Sequence, residues 1–215
     1  MAAVGVLGLI CGVAVYIHRH ANRHSRIWLA KGIDLGLLRQ SFIRDDLDLS
    51  IAQQFDLDRL LDDTSRRWES LQKSLDGASR QERMDETEGF EKDAAAKIDA
   101  LLDEKQRARF QQIRLQQRGA GALADPAIAA ALKLDAEQMK KIADLKQARN
   151  KFVLEATQAA GGRVAEEFPK IAKADSLYSE QMLDVLTPEQ KSAFEKLQGK
   201  KLDWPAIPGL PPAGR

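Results

Sequence analysis

The five residues Leu186-Thr187-Pro188-Glu189-Gln190, with three related stretches, decide the fold of this 215-residue chain. In each stretch a leucine precedes Ser, Thr or Asp, and a Gln follows three residues after the polar residue. This order predicts a helix start, because the capping side chain accepts from the third amide while the Gln oxygen accepts from the amide of the capping residue. The predicted capping pairs are Ser50 with Gln53, Asp103 with Gln106, Asp135 with Gln138, and Thr187 with Gln190.

Apolar residues follow each capping residue at the spacing of one helix face. Those seven positions after the cap are Leu57, Phe110, Ile142 and Phe194, and those ten positions after it are Leu60, Ile113, Leu145 and Leu197. Aromatic residues, which strands favour, make up 6% of the chain. The sequence therefore predicts an all-α fold, with helices at about 36–48, 50–75, 80–101, 103–118, 126–133, 135–160, 163–185 and 187–198.

The same features recur along the chain at an offset of about 85 residues. This register pairs Ile43 with Ile128, Leu49 with Leu134, and Leu102 with Leu186. We therefore predict two tandem copies of a helical hairpin unit of about 85 residues, after an N-terminal transmembrane helix. The predicted divisions are a membrane anchor with basic flank (1–26), repeat unit 1 (27–118), a connector (119–126), repeat unit 2 (127–200) and a Pro-rich tail (201–215).

The short connector contains glycine and proline, which allow the chain to turn back on itself. Two copies in one chain convert a dimerisation into an intramolecular contact with a high effective concentration. We therefore expect the soluble part to be a monomeric pseudo-dimer. Its predicted shared core comprises Leu47, Leu49, Leu57, Leu60, Leu132, Leu134, Ile142 and Leu145.

Residues 2–17 carry no charge and are followed by a flank rich in histidine and arginine. A helix of this length spans about 24 Å, which approaches the bilayer core once flanking side chains extend outward. We predict an uncleaved membrane anchor; a cleaved signal peptide and a buried core helix are the alternatives. The arginines follow the apolar segment, which predicts a cytoplasmic domain. Cys11, the only cysteine, follows Ile10 rather than a small residue, so we expect no lipidation.

His18, His20 and His24 are the only histidines in the chain. The spacing of His20 and His24 is one that can hold a metal ion, but we interpret all three as a polar flank of the membrane segment. Residues 25–215 contain no histidine or cysteine, and the chain has no nucleophile triad, zinc-ligand pattern or phosphate-binding loop. We therefore predict no enzymatic activity, no cofactor and no metal site.

Charge is nearly balanced over most of the chain. Three of the 33 basic residues and none of the 32 acidic residues precede residue 27. The remainder lacks the basic excess that nucleic-acid binding requires, so no nucleic-acid partner is predicted. We interpret the acidic run at 85–93 and the basic stripe at 105–118 as solvated helix faces with ion pairs along each helix.

Residues 37–200, with a complete LTxxQ sequence at 186–190 and degenerate versions of it in helical hairpins, resemble the Spy/CpxP family of periplasmic helical proteins. That family comprises curved hairpin dimers that act as ATP-independent chaperones or as envelope-stress and metal-sensing adaptors. The resemblance implies a periplasmic domain that binds unfolded clients or partner proteins, and the anchor predicted from residues 2–17 would hold it at the inner membrane. The alternative is a structural spacer or assembly subunit without a client. The absence of histidine from residues 25–215 argues against metal sensing. The periplasmic placement conflicts with the one predicted from the arginines.

Overall fold

A computed structural model of the chain describes residues 35–159 and 164–204. These residues form nine α-helices and one 3-10 helix, and no strand occurs among them, so the predicted all-α class is confirmed. The α-helices are α1 (Leu35–Leu38), α2 (Ser41–Asp46), α3 (Ile51–Ser74), α4 (Arg80–Leu101), α5 (Glu104–Arg118), α6 (Pro126–Ala131), α7 (Ala136–Ala159), α8 (Val164–Asp184) and α9 (Pro188–Gln198).

The predicted helices differ from the observed ones at two places. The segment predicted as one helix at 36–48 is broken by Gln40, whose backbone is extended, so that α1 and α2 are separate. The Gly119–Ala124 segment, predicted as a connector, forms the 3-10 helix. The predicted anchor at 2–17, the three histidines and the tail from Pro205 onward lie outside the described residues.

The chain divides into two compact units between Gln111 and Gln112, within α5. Among the described residues, unit A comprises 35–111 and unit B comprises 112–204. Residues of the predicted connector belong to the hydrophobic core of unit B, where Ala120, Ala122 and Leu123 are buried. The small side chains of Ala120 and Ala122 allow the 3-10 helix to pack closely against α7 and α8.

Unit A is built on a hairpin in which α3 packs against α4. Leu57 and Leu61 on α3 are buried, as is Ile98 on α4. Farther from the α3 start, the Trp68 and Phe90 rings lie 5.1 Å apart between centroids. The turn between the two helices contains Gly77 at φ 81°, a left-handed conformation that glycine adopts without steric cost.

Unit B contains the matching hairpin of α7 and α8, which pack along each other. Its hydrophobic core joins this hairpin to α6, α9 and the 3-10 helix. Leu132, Leu134 and Ile142 lie in this core, and Leu145 packs against it. Leu47, Leu49 and Leu57 of unit A are also buried. The predicted packing of these two groups against each other stays a prediction.

Of the two positions predicted to form the apolar face, seven and ten residues after each capping residue, only the first is buried in every helix. The residue seven positions after each cap is buried in all four helices, but of the residues ten positions after, only Ile113 is buried. Successive residues are rotated by about 100°, so position eleven lies closer to position seven than position ten does. Leu61 and Gln198, both at position eleven, are accordingly buried, whereas Leu197 is 38% exposed.

Candidate functional site

All four predicted caps form reciprocal hydrogen bonds in the described structure. In unit A the Gln53 amide donates to Ser50 Oγ at 3.2 Å, and the Gln106 amide donates to Asp103 Oδ1 at 2.8 Å. In unit B the Gln138 amide donates to Asp135 Oδ1 and the Gln190 amide to Thr187 Oγ1. Each glutamine Oε1 accepts in return from the amide of its capping residue, at 2.9 to 3.1 Å.

In unit A the two capping glutamines also bond to each other. Gln53 Nε2 donates to Gln106 Oε1 at 2.7 Å, and Gln106 Nε2 donates to Gln53 Oε1 at 3.2 Å. The second donor of Gln53 bonds the Leu101 carbonyl at the end of α4. The second donor of Gln106 bonds the Asp48 carbonyl after α2. We call this cluster the amide node of unit A; it ties together the starts of α3 and α5 and the ends of α2 and α4.

Unit B has a corresponding amide node. Gln138 Nε2 donates to Gln190 Oε1 at 2.7 Å, and Gln190 Nε2 donates to Gln138 Oε1 at 3.1 Å. The second donor of Gln138 bonds the Val185 carbonyl after α8. That of Gln190 lies 3.3 Å from the Leu132 carbonyl and 3.5 Å from the Lys133 carbonyl, both after α6. The node therefore ties the starts of α7 and α9 to the ends of α6 and α8.

Each glutamine amide in a node has its hydrogen-bonding capacity filled. A primary amide has two donors and an oxygen with two lone pairs. Here both donors are used, and Oε1 accepts once from the capping residue and once from the partner glutamine. A glutamate in the same place would form the cap, yet it has no donor for the partner or the carbonyl. The nodes therefore hold helix ends together, which is a role beyond the predicted helix capping.

A left-handed residue precedes each node, at Asp48 (φ 50°) and Lys133 (φ 52°). Helices α2 and α6 end just before these residues, and in each case the next amide bonds a carbonyl five residues earlier. The Leu49 amide donates to the Arg44 carbonyl, and the Leu134 amide donates to the Ala129 carbonyl. This pattern is the Schellman C-cap, where glycine is the usual residue. It turns the chain so that the next leucine is buried and the following capping residue can begin the long helix.

Large apolar side chains are exposed on several helices. On α3, Ile51 is 88% exposed and Phe55 is 57% exposed, one helical turn apart. The guanidinium carbon of Arg59 lies 4.3 Å from the centre of the Phe55 ring. In unit B the exposed large apolar residues include Met139, Leu154, Leu177 and Leu197. Because α3 places an aliphatic, an aromatic and a basic side chain on one exposed face, it is the best candidate contact surface in unit A.

Several charges of the predicted basic stripe bond other chain segments instead of lying free in solvent. Arg109 donates to Asp46 at 2.6 Å, and both side chains are mostly buried. Arg107 donates to the Asp99 carbonyl at 2.7 Å, and Arg118 pairs with Asp125 at 2.9 Å. These arginines therefore fix helix ends, and the interpretation of the stripe as a solvated face with i, i+4 pairs is wrong for Arg109. In the acidic run, Asp85, Glu86 and Glu88 are exposed as predicted.

An ion pair with a buried carboxylate and a partly exposed guanidinium lies in the middle of the unit B hairpin. Arg149 on α7 donates to Asp175 on α8, whose side chain is only 4% exposed. Burial raises the pKa of Asp175 above its ordinary value, although the Arg149 guanidinium opposes the shift. Asp125 shows the opposite balance: burial alone would raise its pKa, but bonds from Arg118 and the Ala127 amide together lower it.

No enclosed chemical site is evident in the described part of the chain. An open depression in unit A is lined by Arg39, Arg44 and Asp58, and another in unit B by Asp135, Lys141 and Asp184. Small-molecule sites are mostly apolar and enclosed, unlike these. Within residues 35–159 and 164–204, no cluster of potential metal ligands occurs and no helix has the length and apolarity to cross a membrane.

Comparisons of the chain with protein-family models, with curated proteins and with solved structures give no match.

Sequence reasoning missed the contact between paired glutamines, although a signal was present. A capping box accepts Glu or Gln, and the helix dipole favours Glu in the first turn. All four predicted boxes nevertheless carry Gln. Only an amide can donate a second set of hydrogen bonds, so this uniformity was the evidence for a node. A fifth box, Ser79 with Glu82, also went unnoticed; it carries Glu and has only the capping bonds among those described.

Proposed function

We propose that this protein is a non-enzymatic, membrane-tethered helical protein of the cell envelope that binds unfolded polypeptides or partner proteins, in the manner of Spy/CpxP-like chaperones and stress adaptors. The observation that carries the proposal is the exposed face of α3, where Ile51 and Phe55 stand beside Arg59. Exposed apolar side chains rimmed by charge are typical of protein interaction surfaces. An unfolded client offers the complementary apolar and acidic groups.

We further propose that units A and B derive from one duplicated ancestor. Support comes from the order of their elements: a short helix, a left-handed residue, a 24-residue helix, a second long helix and a third helix start. The two amide nodes join equivalent positions, with Gln53 corresponding to Gln138 and Gln106 to Gln190. The outward face is not repeated, because Ala136 and Lys140 take the places of Ile51 and Phe55. In this proposal the copies share a scaffold and differ in surface.

Suppression of aggregation tests the binding function directly. The full-length chain is mixed with a reduced, unfolded protein, and light scattering is followed over time. We expect the parent chain to delay aggregation and the Ile51→Ser/Phe55→Ser variant to delay it much less. The matched control is Ala52→Ser/Asp56→Ser, which changes two exposed residues with the same spacing on the same helix turns. Equal activity of both variants would refute the role of the α3 face. A parent chain without any effect would favour a structural spacer.

The tether is proposed on the sequence of residues 2–17. The periplasmic placement of the helical units follows from the resemblance, against the direction that Arg19, Arg23 and Arg26 favour. Reporter fusions after Arg215 decide between them: a reporter active only outside the inner membrane supports the periplasmic placement, and a reporter active only in the cytoplasm contradicts it.

A further inference from the structure

The chain segment after α9 bends at Lys200 and is bonded to one side chain of α5. Gln116 Nε2 donates to the carbonyls of Gln198 and Lys200, each at 2.7 Å. The Leu202 amide donates to Gln116 Oε1 at 2.9 Å. We call residues 199–204 the clamped segment. Gln116 is 5% exposed, so a buried amide bonds two backbone groups of the clamped segment and the last carbonyl of α9.

The side chains of the clamped segment alternate as they do in a strand docked by one face. Leu202 is buried, whereas Lys201 and Asp203 on either side are exposed. At the start of the segment, Gly199 has a φ of 65°, and a Cβ there would overlap the Gln112 carboxamide. Gln116 therefore bonds the backbone of the segment, and the residue type matters at Gly199, at the buried Leu202 and at the half-buried Trp204.

Backbone hydrogen bonds with pockets for alternate side chains are how proteins bind extended peptides of varied sequence. We propose that the Gln116 site binds an extended segment of an unfolded polypeptide, and that residues 199–204 occupy it as a competitor in the absence of a client. This inference rests on the proposed polypeptide-binding function and adds a second contact, in unit B, to the α3 face. Gln198 Nε2, a buried donor without a partner in the described structure, supplies one more group that a client carbonyl would satisfy.

The probe is a labelled synthetic peptide with the sequence of residues 199–204, Gly-Lys-Lys-Leu-Asp-Trp. Its binding to the full-length chain is measured by fluorescence anisotropy. If the clamped segment closes the site more than nine-tenths of the time, displacing it must tighten the apparent Kd by at least about tenfold. We expect this gain in Leu202→Gln, which removes the buried anchor, and not in Lys201→Gln, which changes the exposed neighbour. Equal affinity in these two variants overturns the proposal.

Two further measurements distinguish recognition of the peptide backbone from nonspecific peptide binding. A peptide methylated on the leucine nitrogen keeps every side chain but loses the donor to Gln116, so it must bind at least about tenfold more weakly. A variant ending at Gln198 must gain affinity as Leu202→Gln does, which covers the case in which that substitution perturbs folding. Equal binding of the methylated peptide also overturns the proposal.

The outcomes distinguish this inference from the proposed function. If the peptide does not bind at the Gln116 site while the parent chain still suppresses aggregation through α3, only the proposal of a peptide site at Gln116 fails. If the released site binds peptide but no variant suppresses aggregation, the proposed chaperone-like function fails and the peptide site stands.

Discussion

The two hairpins are alike at their base and different in the middle. Each begins beside an amide node, in which two glutamines form hydrogen bonds to each other and to the backbone at two helix starts and two helix ends. Farther along, the unit A hairpin is joined by the contact between the tilted Trp68 and Phe90 rings and by the half-exposed pair Arg67–Asp93. The unit B hairpin instead has the pair Arg149–Asp175, in which the carboxylate is buried. Both hairpins therefore begin at the same kind of hydrogen-bonded node, whereas their middle parts are held together by different interactions.

This difference predicts where each unit is vulnerable. When an aromatic contact is truncated, the free energy of unfolding falls roughly in proportion to the buried apolar area that is lost. A buried ion pair behaves differently, because removing one partner leaves an uncompensated charge away from water. Unit B should accordingly be sensitive to charge changes and to pH at its hairpin, and unit A should not.

The largest expected effect is that of Arg149→Met, which leaves Asp175 buried without its cation. We expect a loss of about 3 kcal/mol in the free energy of unfolding at neutral pH, the usual cost of orphaning a buried charge. Urea denaturation followed by circular dichroism measures it. Arg67→Met is the matched change in unit A, and it should cost much less because Asp93 is exposed to water and also pairs with Lys97.

The pH dependence sharpens this test. A carboxyl whose folded pKa is raised contributes stability below its unfolded pKa, near 4, and loses that contribution as the pH rises through the folded value. Without Arg149 the pKa of Asp175 rises further. The deficit of Arg149→Met should therefore shrink between pH 7 and about pH 4. A deficit that is constant over this range would show that lost packing, and not the buried charge, separates the two hairpins.

The sequence predicted the helices and caps well because both depend on local patterns. Thr187, Pro188 and Gln190 each act within one helical turn, and their geometry is as expected. The node, the Arg149–Asp175 pair and the Gln116 clamp join residues 26 to 86 positions apart. No local period encodes such contacts. The 3-10 helix at Gly119–Ala124 was missed for a related reason: small residues look like a linker until the core around them is known.

A smaller effect tests whether the nodes are more than caps. Gln106→Glu keeps the acceptor for the Asp103 amide, but it removes both donors and places a carboxylate against Gln53 Oε1 and the Asp48 carbonyl. We expect a loss of about 2 kcal/mol, because the unmade bonds lie in a partly buried site. Gln190→Glu should cost less, since Gln190 is less buried than Gln106. Equal costs would mean that the two nodes are energetically interchangeable.

The control for this comparison is the Ser79 box, where the third residue is already glutamate. The Ser79 hydroxyl and amide bonds hold the pKa of Glu82 below its ordinary value. Glu82→Gln keeps the capping acceptor and should leave the denaturation midpoint at pH 7 nearly unchanged. If Gln106→Glu were as mild as Glu82→Gln, the paired glutamines would be caps and the node would contribute nothing.

The smallest expected effect concerns the left-handed residues before the nodes. Lysine in this conformation brings its Cβ close to the following carbonyl, whereas aspartate tolerates it better. Lys133→Gly should therefore stabilise unit B by about 1 kcal/mol, after allowing for the greater freedom of glycine in the unfolded chain. Asp48→Gly should change unit A by less, about 0.5 kcal/mol or below. Both side chains are exposed, so no packing is lost. Thermal denaturation should then show a higher Tm for Lys133→Gly than for Asp48→Gly. The reverse order would indicate that the lysine is not strained, and that the turn of unit B is set by the Gln190 bond to the Leu132 carbonyl rather than by the conformation of residue 133.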